Sequence, residues 1–318
     1  MVYNPARVDE ARLRESVRRA EHRHGWRPSR WHATTEEDPG SGQAARALEE
    51  GSRIVLVAGG DGTVRTVAEI IAGSGVPLAL LPMGTGNLLA RNLELGRLSL
   101  DAALDTAFTG RDRPIDVGRV DIQRPGGHRD RYVFLVMAGL GLDAQMIANT
   151  DPRMKRRVGW LAYVGGIARS LSKPGNGRVR IRYRLDEGRT QAMTVHTILI
   201  GNCGSLPANI LLLPDAEIDD GLFDIVALRP KGFFGWLRVW SGIVWENGVL
   251  RRSQVGRKII ALSPEARALR YLQGKDMVVR PDEPQEFQLD GDSFGMASAV
   301  RVWVEPGALI VRVPRAAR

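Results

Sequence analysis

The sequence predicts an α/β N-terminal domain built on a parallel sheet, followed by a β-rich C-terminal domain of sandwich type. In the first third, short apolar segments alternate with segments of helical periodicity, as in sheets covered by helices. After about residue 115, short strand candidates separated by turn residues replace that pattern. The chain has 318 residues, enough for two domains that each bury a core.

The N-terminal segments alternate between strand and helix. The apolar segment Ile54-Val-Leu-Val-Ala58 ends at glycines, as a buried parallel strand does. Val64, Val67, Ala68 and Ile71 follow at helical spacing. In chain order, the predicted elements are a strand at 2–5, helices at 7–24 and 43–50, a strand at 54–58, a helix at 64–72, a strand at 76–81 and a helix at 88–95.

The C-terminal segments are mostly strand candidates. Four arginines alternate with apolar residues between Arg178 and Leu185, which predicts a half-buried strand whose arginines point outward. We expect helices at 159–171 and 232–252, and domains at 1–115 and 116–304, with 305–318 completing the first domain. The predicted strands lie at 132–138, 179–185, 193–201, 223–228, 277–280, 287–289 and 300–304.

Composition excludes several classes of protein. No apolar stretch reaches the roughly 18 to 20 residues that cross a bilayer, and the first residues lack the features of a signal peptide, so we expect a cytoplasmic protein. Cys203 is the single cysteine, which excludes an intrachain disulfide and favours a buried, inert thiol. The net charge of +9 indicates an anionic partner. No nucleic-acid module accompanies it, so we expect no nucleic-acid partner.

The segment Gly59-Gly60-Asp61-Gly62-Thr63 lies between a predicted strand and a predicted helix. Glycines permit a tight turn and close approach of a ligand, and the following helix N-terminus favours phosphate. A carboxylate there would repel phosphate unless Asp61 binds Mg²⁺ or accepts a proton from an attacking hydroxyl. The alternative is that Asp61 only caps the helix. Local sequence leaves both open.

A second loop, Gly84-Thr85-Gly86-Asn87, repeats this arrangement after the next strand. Open α/β sheets bind ligands at the carboxyl ends of their strands, so we expect the two loops to lie side by side. Leu89 occupies the third glycine position of the dinucleotide fingerprint, and no Gly-Lys-Ser or Gly-Lys-Thr occurs. Backbone amides and polar side chains would therefore hold a nucleotide.

These segments occur in an order that resembles the diacylglycerol kinase catalytic domain, whose family includes sphingosine, ceramide and bacterial lipid kinases. The resemblance covers most of the chain. Its segments are Asn4-Pro5, Thr34-Thr35, the two glycine loops, Ile115-Asp116-Val117-Gly118, Ala138-Gly-Leu-Gly141, Gly201-Asn202, the segment from Pro214 to Leu222, and Leu289-Asp290-Gly291-Asp292.

The resemblance implies ATP and Mg²⁺ as cofactors and a role for each matching residue. Asp61 would act with Mg²⁺, Asp116 would join Asp61 in a water-linked network, and Asp292 would be the general base for the lipid hydroxyl. Asp220 would bind a structural Mg²⁺ with the backbone carbonyls of Glu217 and Leu222, although an ordinary hairpin turn explains Asp219-Asp220-Gly221 equally. The nucleotide cleft would be lined by Asn4, Thr34, Gly59, Gly60, Gly62, Thr63, Gly84, Thr85, Gly86 and Asn87.

Two departures from the family pattern concern the substrate more than the reaction. Asp292 stands where the bacterial pattern has Glu, so its carboxylate is one methylene shorter. The second loop continues Asn87-Leu88-Leu89 in place of Asn-Asp-Phe, as in the sphingosine-kinase version. Three other functions stay open: a soluble-metabolite kinase of the NAD kinase type, a phosphofructokinase-like sugar kinase, and a catalytically silent lipid-binding relative.

A membrane lipid substrate implies peripheral contact with the inner membrane face. The aromatic stretch 231–246 suits an interfacial helix, a helix packed on the second domain or a dimer contact. The basic residues between Arg153 and Arg157 suit anionic head groups or a solvated face. Members of the family often dimerise, so a homodimer is one alternative.

Overall fold

A computed structural model describes residues 1–141, 178–206, 210–211, 213, 215–228 and 269–315. The helices of these residues are α1 Glu10–His24, α2 Ser41–Glu49, α3 Asp61–Ile71, α4 Leu88–Asn92 and α5 Leu100–Thr109. Their strands are β1 Val2–Tyr3, β2 His32–Ala33, β3 Val55–Gly59, β4 Leu78–Pro82, β5 Arg111–Gln123, β6 Arg129–Phe134, β7 Met137–Leu140, β8 Val179–Leu185, β9 Gln191–Val195, β10 Thr197–Gly201, β11 Ser205–Leu206, β12 Ile210–Leu211, β13 Phe223–Leu228, β14 Leu269–Gly274, β15 Asp276–Pro281, β16 Gln285–Leu289, β17 Asp292–Ala297 and β18 Ala299–Val313.

The N-terminal half is a parallel sheet in the order β2-β1-β3-β4. All five residues of β3 are buried, as expected for a strand covered on both faces. Val55 and Val57 pack into one hydrophobic cluster, whereas Leu56 and Ala58 pack into another. Helices therefore cover both faces of this sheet, and every strand of it runs toward the same edge.

Two long strands extend this sheet into the C-terminal half. Strands β5 and β18 pair antiparallel from Ala299 opposite Gln123 to Val313 opposite Arg111, with a register shift between Glu305 and Leu309. Near the end of β18, Val311 pairs parallel with Leu78 of β4. The end of the final strand thus joins the N-terminal sheet, while its first half pairs with β15.

The C-terminal half is a sandwich of two sheets. A six-stranded antiparallel sheet has the order β14-β13-β10-β7-β16-β17. Its inner residues share one hydrophobic cluster with residues of the large sheet, among them Ile198 and Phe287 from the former and Val120 and Ile181 from the latter. The predicted fold class is confirmed.

Several details differ from the sequence-based expectation. The strand predicted at 132–138 is two strands, β6 and β7, and the strand predicted at 193–201 is interrupted at His196. Helix α5 was not predicted. The outward arginines of this strand are confirmed, since Arg180, Arg182 and Arg184 of β8 are exposed, as is Arg178 just before it.

The remaining predictions concern Cys203, four segments between residues 153 and 252, and the domain limits. Cys203 is buried as expected, and burial raises the pKa of its thiol. The helices predicted at 159–171 and 232–252, the basic run at 153–157 and the aromatic stretch at 231–246 lie outside the described residues. The domain limits remain a prediction, and β5 crosses residue 115 without a break. No helix within the described ranges has the length and apolar character needed to span a membrane.

Candidate active site

Four sequence-predicted site segments meet at the carboxyl edge of the parallel sheet. Asn4 follows β1, Thr34 follows β2, Gly59 ends β3 and Gly84 comes two residues after β4. The Asn4 amide donates to the Ala58 carbonyl at 2.9 Å, and the Thr34 amide donates to the Tyr3 carbonyl at 2.9 Å. The expected alignment of these segments at one edge is therefore present.

The first glycine loop, residues 59–63, turns directly from β3 into α3. Gly60 is the N-cap residue, and no side chain caps the helix. A Cβ atom on Gly59 would lie 2.8 Å from the Thr63 Cβ atom, so any larger residue would collide with the first turn of α3. The free amides and positive dipole end of α3 therefore open onto the edge of the sheet.

The second glycine loop, residues 84–87, is closed by its own asparagine. The Gly84 amide donates to Asn87 Oδ1 at 2.9 Å, and Asn87 Nδ2 donates to the Gly84 carbonyl at 2.8 Å. Asn87 adopts a φ of 48°, a left-handed conformation that asparagine tolerates. A Cβ atom on Gly84 would lie 2.7 Å from Gly60 Cα, so the two loops touch through backbone. Thr85 is exposed beside them.

Asp61 connects the two loops. Its carboxylate accepts hydrogen bonds from the Asn87 amide at 2.9 Å and the Leu88 amide at 2.5 Å. A Cβ atom on Gly86 would lie 2.5 Å from Asp61 Oδ2, so this approach requires glycine. The alternative that Asp61 caps its own helix is wrong: Gly60 occupies that position, and the Asp61 carboxylate accepts from the start of α4 instead.

Asp292 is presented by a β-hairpin formed by β16 and β17. Leu289 pairs with Asp292, and the two turn residues Asp290 and Gly291 have φ values of 49° and 90°. Positive φ at both central residues is the type I′ geometry that Asp-Gly favours. We call residues 289–292 the Asp292 hairpin.

Asp290 fixes this hairpin to the core. Its carboxylate accepts from the amides of Leu135 at 2.9 Å, Val136 at 2.8 Å and Met137 at 3.0 Å. Burial raises the pKa of Asp290 to about 6, while the three amides oppose this rise. Sequence reasoning assigned Asp290 no role, although the Asp-Gly pair between two strand candidates is a hairpin signal that could have pointed to it.

The hairpin brings Asp292 to the first glycine loop. A Cβ atom on Gly62 would lie 3.2 Å from Asp292 Oδ2, and the charge of Asp292 acts on Asp61. Burial is the larger cause that raises the pKa of Asp61, and the Asp292 charge raises it further. Two carboxyl groups that are 231 residues apart in sequence thus meet where the two glycine loops touch.

Asp116 has a different setting. It is buried, and its two carboxylate oxygens accept from the Gly221 amide at 2.6 Å and the Gly307 amide at 2.7 Å. Within the described residues it forms no direct hydrogen bond with Asp61. The contacts of Asp116 join β5 to the turn before β13 and to the irregular segment of β18, so its predicted water-linked role stays a prediction.

The predicted structural metal ligands lie in that same turn. Asp220 Oδ1 accepts from the Leu222 amide at 2.9 Å, and neighbouring Asp219 pairs with Arg113 at 2.8 Å. Burial and the charges of Asp220 and Asp215 raise the pKa of Asp224. The described part of the chain contains no group of three or more His, Cys, Asp or Glu side chains suited to a metal. A cation here would therefore depend on backbone carbonyls such as those of Glu217 and Leu222.

Comparisons with known proteins agree on one family. Residues 2–120 match the model of the diacylglycerol kinase catalytic domain. A protein of Pseudomonas aeruginosa named probable lipid kinase YegS-like is 32% identical over 284 residues, which are 86% of this chain and 82% of that protein. A diacylglycerol kinase of Bacillus subtilis is 27% identical over 83% of this chain and 79% of its own length.

A solved structure has the same fold. The crystal structure of a diacylglycerol kinase from Bacillus anthracis superimposes with a TM-score of 0.71 at 20% sequence identity, and the match covers 99% of this chain and 96% of that one. At this identity the similarity supports the two-domain architecture and says nothing about substrate.

Proposed function

Because the chain belongs to the diacylglycerol kinase catalytic-domain family, we propose that it transfers the γ-phosphoryl group of ATP to a hydroxyl group of a lipid, diacylglycerol or a related lipid alcohol. The observation that carries the proposal is the approach of Asp292 to Asp61 at the contact of the two glycine loops. On the side of the parallel sheet, backbone amides at the start of α3 can bind the phosphates of ATP. On the side of the six-stranded sheet, the Asp292 carboxylate can meet the hydroxyl group that accepts the phosphoryl group.

The N-terminal side suits a triphosphate and its metal. Free amides at the start of α3 and in the glycine backbone of the loops can donate hydrogen bonds to phosphate oxygens without obstruction by side chains. The charge of Asp292 raises the energy of the charged form of Asp61, and two neighbouring carboxyl groups fit a divalent cation, which Asp61 would hold. Mg²⁺ supplies positive charge that offsets the charge of the transferring phosphoryl group.

Asp292 fits the role of general base. Its side chain is exposed, so a lipid hydroxyl can reach it. The Asp292 hairpin is fixed in place because the Asp290 carboxylate accepts hydrogen bonds from three backbone amides. A base must come within roughly 2.6 to 3.2 Å of the atom whose proton it accepts. We propose that Asp292 removes the proton of the acceptor hydroxyl as its oxygen attacks phosphorus, and that the shorter side chain is compensated by the position of the hairpin.

A second cation fits the turn before β13. Burial raises the pKa of Asp224, and the nearby negative charges of Asp220 and Asp215 raise it further. We propose that Asp220 and the carbonyls of Glu217 and Leu222 hold a Mg²⁺ that stabilises this turn. Asp116 would support the same turn through the Gly221 amide.

A lipid panel tests the proposed reaction. We expect labelled ATP and Mg²⁺ to give a phosphorylated product with at least one lipid alcohol presented in vesicles. Asp61→Asn and Asp292→Asn should each lower turnover by about a hundredfold or more, because metal binding and proton removal are lost. The measurement is product separated by head group.

Asp282→Asn is the matched control, since Asp282 is exposed and lies 3.8 and 4.0 Å from the nearest nitrogens of Arg182 and Arg180. It should retain wild-type turnover. Turnover that survives both site substitutions would contradict the assignment. Phosphorylation of NAD but of no lipid would favour the soluble-metabolite kinase, and vesicle binding without any turnover would favour the silent lipid-binding relative.

The lipid substrate also requires a membrane contact. We propose a peripheral contact with the inner membrane face, made by residues 153–157 and 231–246. The homodimer remains one alternative for the assembly.

A further inference from the structure

Arg65 places a buried positive charge in α3, one helical turn after Asp61. Its side chain is 9% exposed, and its guanidinium carbon lies 4.6 Å from the ring centroid of Phe294. The Nε atom is buried and has no hydrogen-bond partner within the described residues. Burial of a guanidinium with an unmatched donor costs free energy.

The contacts of Arg65 and Gly62 follow one geometric pattern. Gly62 and Arg65 are three residues apart, so they lie on the same face of α3. Asp292 and Phe294 are two residues apart, so they lie on the same face of β17. Gly62 faces Asp292, with 3.2 Å from its Cβ position to Asp292 Oδ2, and Arg65 faces Phe294. The helix face and the strand face are therefore matched at two successive positions.

The two contacts differ in the space that the α3 residue fills. Gly62 has no side chain, which lets the Asp292 carboxylate approach the first turn of α3. Arg65 is long and fills the next position, where a ring can accept a cation. Arg65 and Phe294 thus fill the space between α3 and β17 next to the open position at Gly62.

Phe294 is supported from its other side. Its ring packs edge to face against Tyr132 of β6 at 4.7 Å between centroids. The start of β17 is held independently by Asp290 and its three amides. Arg65 therefore contacts a ring that is packed on its other side, and this contact connects α3 to the strand that carries Asp292.

Charges around Arg65 are consistent with this setting. The Arg65 charge opposes the rise that burial causes in the pKa of Glu69 and of Asp290. Glu69 lies one turn further along α3, and Asp290 lies in the Asp292 hairpin. The positive charge of Arg65 therefore interacts favourably with one carboxyl group on α3 and one on the Asp292 hairpin.

We propose that Arg65 is a positioning residue, which through Phe294 sets the distance between α3 and β17 and so holds Asp292 opposite Gly62 and Asp61. The effect on turnover rests on the proposed function, whereas the effect on the hairpin does not. Arg65 touches no reacting atom in this scheme; it acts through the ring.

The experiment compares Arg65→Met, Arg65→Lys and Phe294→Leu with the full-length wild-type chain. Arg65→Met should lower kcat by about tenfold or more while the KM for ATP changes by less than about threefold, because the base is misplaced and the nucleotide loops are intact. Arg65→Lys should recover most of kcat, since an ammonium can also lie over the ring. Phe294→Leu should resemble Arg65→Met, and provides a second probe if that variant folds poorly.

Arg301→Met is the matched control. Arg301 also lies over an aromatic ring, that of Trp303, at 5.3 Å, but Arg301 itself is exposed on a strand of the large sheet. It should leave kcat unchanged. A merely structural role of Arg65 would instead raise the KM for ATP and lower kcat together, or would not be rescued by lysine, and either result overturns the proposal.

Hydrogen exchange supplies a readout without catalysis. In Arg65→Met, amides of residues 289–297 should exchange about tenfold faster than in the wild type, because the strand has lost its contact with α3. Arg301→Met should not change them. Unchanged exchange in Arg65→Met overturns the inference even if kcat falls, and faster exchange with wild-type kcat overturns it as well. A wild-type chain that phosphorylates no lipid contradicts the proposed function alone, and exchange then decides the positioning.

Discussion

At the scale of single residues, the site uses carboxylates as acceptors of backbone amides. Asp61 accepts from two amides of the second loop, Asp290 from three amides of the β6–β7 connection, and Asp116 from two distant glycines. Charge-assisted bonds of this type are stronger than neutral ones and bring segments together that share no regular pairing. The exposed Asp292 is the exception, which fits a group that must meet a substrate.

Asp290 predicts a specific dependence of stability on pH. Burial raises the pKa of Asp290 to about 6, above the value of an unfolded aspartate. The folded chain therefore binds this proton more tightly than the unfolded chain, so the contribution of Asp290 to stability falls as pH rises from about 4 to about 6. The difference between the wild-type and Asp290→Asn unfolding curves at several pH values should show this slope.

Asp290→Asn removes a buried charge and one hydrogen bond together. Its amide nitrogen would face the Leu135 amide, and both are donors, so one hydrogen bond is lost at a cost of roughly 1 to 3 kcal/mol. Because the variant carries no charge that burial disfavours, its deficit in unfolding free energy should shrink as pH rises from about 4 to about 7, which denaturant unfolding measures. An equal pH dependence in wild type and variant would contradict the assignment of the titrating group to Asp290.

At the scale of elements, the site depends on two loops that touch through glycine backbone. A side chain at Gly84 would force them apart, because its Cβ atom would lie 2.7 Å from Gly60 Cα. The start of α3 then presents its amides to the same space in which Asp61 and Asp292 meet. Strand ends, a helix N-terminus and a hairpin tip each supply one part of the site.

Gly84→Ala tests the contact between the loops. Its Cβ atom would lie 2.7 Å from Gly60 Cα and 2.8 Å from Asn87 Oδ1. We expect the KM for ATP to rise by about tenfold or more, since displaced loops no longer present their amides together. Gly126→Ala is the control, because a Cβ atom there meets nothing within 4 Å. Wild-type nucleotide affinity in Gly84→Ala would exclude the loop contact as a requirement.

At the scale of the whole molecule, β5 and β18 unite the two halves. Each runs from the N-terminal sheet into the sandwich, and the irregular segment of β18 lies where Asp116 accepts from Gly307. The second oxygen of Asp116 holds the turn that contains Asp220. One buried side chain thus couples both long strands to the segment before β13.

Asp116→Ala should destabilise the whole chain. The buried Gly221 amide and the more exposed Gly307 amide lose their acceptor, which costs about 1 to 3 kcal/mol. Asp116→Asn keeps one acceptor oxygen and should lose less. The control is Asp112→Asn on the same strand, whose exposed pair with Arg312 contributes little. Chemical denaturation measures all three, and equal stability of Asp116→Ala and Asp112→Asn would contradict this role.

Local patterns carried most of the sequence-based prediction. The period-two arginines of β8, the apolar strand β3 and the glycines after it depend on neighbours in the chain, so the fold class and both glycine loops could be predicted. Strand breaks could not, because β6 and β7 separate at Leu135 and Val136, where the amides turn toward Asp290 rather than toward a strand.

The sequence by itself determined the two-domain architecture, the two glycine loops and the order of segments that identifies the family. Only the tertiary structure decided that Asp61 caps α4, that Asp290 binds amides 153 to 155 residues away, and that Arg65 meets Phe294 beside Asp292. Periodicity and turn chemistry act over a few residues, whereas these contacts depend on which surfaces the packed sheets bring together.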